Sequence, residues 1–175
     1  MRNKNPLVGE CAQVLRQGIA LLEQLDDRLY FETRDLPVRS GVGAHFRHCL
    51  DFYNSFLAGV SAGYVDYNRR ERDALVERDR AFAATRLRIV IAELESLSIT
   101  DGAMPLVVAL EGAADESAWC ASTVLRELQF LLSHTIHHYA LIALLLRLQG
   151  FEPDAEFGVN PSTLRHWRQE AVCAR

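Results

Sequence analysis

The chain has no surplus of positive charge. Its 19 lysines and arginines stand against 23 aspartates and glutamates, for a formal charge of −4. A protein that works by neutralising phosphates gathers a basic excess on one face, so this balance argues against nucleic acid as a partner. The one arginine-rich stretch, NRRER at residues 68–72, is interleaved with acid. Close cysteine pairs are also missing. Cys11, Cys49, Cys120 and Cys173 are far apart in sequence, which leaves neither a zinc ribbon nor a redox dithiol. The N-terminal segment does not read as an apolar leader, because Glu10, Gln13 and Arg16 interrupt it, and none is expected there. No stretch comes near the ~20 apolar residues that span a bilayer. Repeats, low-complexity tracts and βαβ alternation are absent as well. These absences lead us to expect a cytoplasmic protein with free thiols and no membrane partner.

What is present is an ordinary globular composition, 49% hydrophobic and 24% charged over 175 residues, enough for a single domain spanning 1–175 with a real core. Apolar residues recur at three- and four-residue intervals from Pro6 to Tyr30, from Gly41 to Leu57, from Arg78 to Leu97, and from near Ser122 to near Gly150. That spacing predicts four amphipathic helices. Pro6 suits a first turn, Ser40 can cap the second helix, and Gly150 suits a left-handed stop after the fourth. Pro37 breaks the chain between the first two. The segments MPLVVALEG and ESAWCASTV, separated by GAAD, predict a small β-hairpin before the last helix. From Phe151 onward we expect an extended tail over the bundle with at most a short terminal helix. The fold class is therefore all-α, a four-helix bundle, in which facing helices can converge on an ion.

Five of the six histidines fall in two helical segments: His45 and His48 in GAHFRHCLD, and His134, His137 and His138 in HTIHH. Residues four apart on a helix lie one above the other, so His134 and His138 can offer two nitrogens to one point; His134 and His137 can do so less directly. A third nitrogen, from His48 or His45, would complete a facial set for a divalent metal. A satisfied core histidine is the commoner fate of an isolated imidazole. Five imidazoles aimed into an apolar bundle would, however, be desolvated without compensation.

The segments SGVGAHFRHCLDFY, VDYNRRERD, STVLRELQFLLSHTIHHYALIALLLRLQG and FGVNPSTLR resemble, in order and spacing, those of the DinB-like superfamily, over roughly residues 10–166. The resemblance implies a DinB-like four-helix bundle with a long crossover connection, usually dimeric. It implies metal ligands at His48, His134 and His138, with His45 and His137 nearby as alternatives, and nickel, zinc, iron or manganese as the ion. Some relatives are thiol-dependent transferases or isomerases, and a related domain supplies the histidines of iron-dependent sulfoxide synthases.

Asp51, one turn after His48, and Glu127, two turns before His134, are candidates to accept a hydrogen bond from a ligand's outer nitrogen. Arg47, Arg70 and Arg72 are candidates for an anionic substrate, and Tyr67 and Tyr139 for donation to a ligand. The expected function is that of a metal-dependent hydrolase or thiol-dependent transferase acting on a small-molecule substrate, with a low-molecular-weight thiol as one option. The alternative is a non-enzymatic metal- or ligand-binding stress-response bundle, closed by a fourth protein ligand.

Overall fold

The structure is a computed structural model that describes residues 5–32, 39–97, 104–110 and 118–173. Its elements in order are α1 (Pro6–Gln24), α2 (Asp27–Phe31), α3 (Val42–Val60), β1 (Tyr64–Val65), α4 (Ala74–Arg78), α5 (Arg80–Ser96), β2 (Pro105–Ala109), β3 (Trp119–Thr123), α6 (Val124–Leu148) and α7 (Pro161–Cys173).

The four long helices α1, α3, α5 and α6 form the bundle. α1 packs against α5 and α6, and α3 packs against the same two, so α1 and α3 occupy opposite corners. The core between them is aromatic and aliphatic, with Tyr30, Phe46, Tyr53, Phe56, Leu128 and Tyr139 wholly buried. α6 is long and apolar enough by length and composition alone to cross a bilayer, contrary to the expectation that no stretch would be. Half of its apolar window is buried inside the bundle.

The helix boundaries shifted where a capping side chain intervened. The first helix ends at Gln24 rather than Tyr30, because the Asp26 carboxylate accepts from the Leu29 amide at 2.8 Å and starts α2. Asp79 likewise accepts from the Phe82 amide, separating α4 from α5. Gly41 rather than Ser40 sits at the N-cap of α3, without a side-chain bond. Gly150 has φ +81°, as its predicted stop position requires. Pro37 and the GAAD turn lie outside the described residues.

The hairpin forms, with Pro105 opposite Thr123 and Ala109 opposite Trp119. A third strand joins it: β1 pairs in parallel with β2, from a connection that reads as polar and irregular. Two residues are too few to show a period. The tail departs further from expectation, since α7 has 13 residues. Pro161 occupies its first turn, the Asn160 side chain accepts from the Ser162 amide at 2.9 Å, and Leu164 is buried.

Candidate metal centre

α3 and α6 lie side by side, and His45 and His48 on the first meet His134 and His138 on the second. The Nε2 atoms of His48 and His134 are 3.2 Å apart, and those of His134 and His138 are 3.1 Å apart. One nitrogen from each of these three rings lies within 4.8 Å of the other two. Aromatic neighbours fix the rings in place. The His134 ring stacks on Phe130 with an interplanar angle of 15°, and His48 meets Phe52 edge-on at 4.9 Å.

Hydrogen bonding among the three rings cannot account for this geometry. His134 Nε2 carries either one hydrogen or one lone pair, and it faces two nitrogens at bonding distance. If it carries the hydrogen, one contact is left unserved. If it carries the lone pair, two N–H groups crowd onto it. Its Nδ1 is buried without a partner in either case. A cation accounts for the two Nε2 contacts, because ligands ~2.0–2.1 Å from a divalent ion sit about 2.9–3.4 Å from each other between octahedral and tetrahedral angles. The donor set therefore fits a metal.

His45 has a separate place. Its Nδ1 lies 2.9 Å from Nδ1 of His138, the nitrogen on the far side of that ring from the cluster. A neutral His138 with its Nε2 lone pair toward the cluster has its hydrogen on Nδ1, and His45 is then the acceptor for it. His137 is exposed on α6, where its ring meets that of His138 edge-on.

The electrostatics keep the rings neutral. Burial, and then the neighbouring His134 and Arg70, lowers His48 to about 4. Burial is also the leading cause that brings His134 to about 4 and His138 to about 3. Imidazoles depressed this far retain their lone pairs across the neutral range, as metal ligation requires.

The two acids have partners other than histidine. Asp51 is buried and pairs with Arg47 at 3.4 Å, while burial raises its carboxyl to about 6. Glu127 is buried too, but its partners are hydroxyls: Tyr67 donates to it at 3.0 Å, and Ser122 donates to its other oxygen. Arg47 is also held by Glu77 at 2.8 Å, which ties it into the α3–α4 contact. Tyr139 is wholly buried. Cys49, next to His48, is buried, and burial pushes its thiol well up, so it is no nucleophile.

Residues 12–142 match the family model of the DinB superfamily. The chain belongs to the DinB superfamily. The matched stretch includes all five clustered histidines. Over 108 residues the DinB chain is 30% identical to FK506-binding protein 5 of Rhizopus delemar, a match that covers 61% of this chain and 28% of that relative. The chain thus spans little more than a quarter of the length of the curated relative it matches. No solved structure matches it.

In this DinB bundle the histidines border a cavity of about 790 Å³. His48 and His134 lie at its inner wall, Phe52 and Phe130 beside them, and the hairpin and the stretch after β1 close the other sides. Phe52 lies four residues after His48, and Phe130 four before His134, so helical spacing already placed both on the ligand faces. Arg70, one of the arginines expected at an anionic substrate, lines the cavity, whereas Asn68, Cys120 and Arg126 had no sequence signal as lining residues. They come from separate elements joined only by the tertiary fold.

Proposed function

We propose that this DinB chain is a metal-dependent enzyme, of hydrolase or thiol-transferase type, with a divalent ion held by His48, His134 and His138. The observation that carries the reading is the convergence of three Nε2 atoms beside a cavity large enough for a small molecule. Such an ion supplies Lewis acidity, which acidifies water or a thiol and polarises a substrate oxygen. The chain's own residues perform the remaining tasks. His45 orients the His138 ring, and Phe52 and Phe130 hold the His134 ring and shed water from it.

An open site supports catalysis over a purely structural metal, and two observations favour openness. His45 faces the outer nitrogen of His138, and His137 is exposed, so neither is set as a fourth ligand. Nickel, zinc, iron and manganese all suit imidazole donors. We further propose a cytoplasmic homodimer acting on a small-molecule substrate, with a low-molecular-weight thiol as a candidate co-substrate and no nucleic acid or membrane partner.

The test is metal analysis of untagged protein alongside His134→Ala and His138→Ala. Near-stoichiometric metal in the parent and its loss in both variants is the expected result. Equally low metal in all three would overturn the reading. Metal retained with no position exchangeable by added small anions or thiols would leave the non-enzymatic, ligand-binding alternative.

A further inference from the structure

The cavity beside the histidines has a chemical character that the metal reading does not use. Its walls next to the cluster are the rings of Phe52 and Phe130, and Val108 and Leu110 add further apolar lining. Two cations border it, Arg70 and Arg126, against one carboxylate, Glu127. Both Glu127 oxygens already accept from hydroxyls, which turns that group toward the protein rather than toward a ligand.

Arg70 is the unusual member. It is half-buried, its guanidinium carbon sits 4.3 Å from the centre of the Phe52 ring, and it forms no ion pair among the described residues. Its neighbours Arg69 and Arg47 each have a carboxylate partner. A guanidinium seated over a ring face spends none of its N–H donors on that contact, so they stay available to a carboxylate. Stacking also limits the orientations Arg70 can take, which reduces the ordering cost of binding.

We infer that the cavity binds a small organic anion, a carboxylate on an apolar body, with Arg70 holding the carboxylate and Phe52 and Phe130 receiving the body. As a substrate assignment this rests on the metal reading. As a binding site it does not, because Arg70 and the aromatic walls are in place without a metal.

Benzoate is the probe, with benzamide as its neutral counterpart, titrated calorimetrically into cobalt-loaded and metal-free protein. Benzoate is expected to bind at least ten-fold more tightly than benzamide. Arg70→Gln removes that preference without changing cobalt content, and Arg70→Lys, which keeps the charge but loses the fork, retains part of it. Arg126→Gln has a smaller effect, since that side chain is exposed. Equal affinities for the two probes, or an Arg70→Gln protein of unchanged melting temperature that still prefers benzoate, would overturn the inference. Cobalt retained with no benzoate binding removes the anion site and leaves the metal reading standing. Failure to retain cobalt, with Arg70-dependent binding to the metal-free protein, does the reverse.

Discussion

At the scale of single residues, the centre depends on which nitrogen of each imidazole carries its hydrogen. An acceptor for the Nδ1 hydrogen of His138 favours the tautomer that presents its Nε2 lone pair, and His45, 2.9 Å away, is the group in position to accept it. His45→Ala is therefore expected to weaken cobalt affinity by roughly ten-fold or more, in line with what such outer partners contribute. His45→Gln, whose carbonyl can accept the same hydrogen, recovers part of that affinity in a competition titration with a chromophoric chelator. An effect of His45 on stability alone would lower the melting temperature without moving the cobalt affinity, and that result would refute the role. Sequence spacing left His45 and His48 as equals, because both lie on one face of α3. Only the position of α6 separates them, one toward the cluster and one behind it.

At the scale of elements, the segment after α6 braces the ligand helix. Phe157 stacks on Tyr139 with centroids 4.7 Å apart, one residue beyond His138. Gly158 follows with φ +73°, and a Cβ there would lie 2.7 Å from backbone atoms of Tyr139 and Ala140. Those backbone atoms belong to α6 and cannot move aside cheaply. Gly158→Ala is expected to cost about 1–3 kcal/mol, from left-handed strain plus the clash. Gly150 is the control: it has a similar φ, +81°, with open space around it, so Gly150→Ala meets the strain alone at about 1 kcal/mol. Denaturant midpoints of the two variants should differ in that order; equal losses would show that the close approach has no energetic weight. None of this was legible beforehand. FGVNPSTLR reads as glycine and proline in a tail, and its contact with α6 depends on where the bundle places that helix.

At the scale of the whole molecule, the histidine cluster should make stability depend on pH. His48, His134 and His138 have folded values of about 4, 4 and 3, below the ordinary 6.5. Above ~6.5 neither folded nor unfolded chain binds protons at these sites; below it the unfolded chain takes them up first, so stability falls as the pH drops toward 4. Asp51, raised from 3.8 to about 6, works in the opposite sense and reduces the slope. Thermal melts of metal-free protein from pH 7 to 4 should show a falling midpoint that is shallower in the His48→Gln, His134→Gln, His138→Gln protein; identical slopes would refute the assignment. By itself the sequence determined the all-α class, the four amphipathic stripes, the hairpin and the two histidine faces, because each is set by local periodicity and neighbours within one or two turns. Only the tertiary structure decided the strand β1, the order of helices around the bundle, the contact of Tyr67 with Glu127, and the cavity that joins Arg70 to the cluster. Those depend on contacts between residues far apart in sequence, such as Tyr64 with Val107, Tyr67 with Glu127 and His45 with His138, which no local pattern encodes.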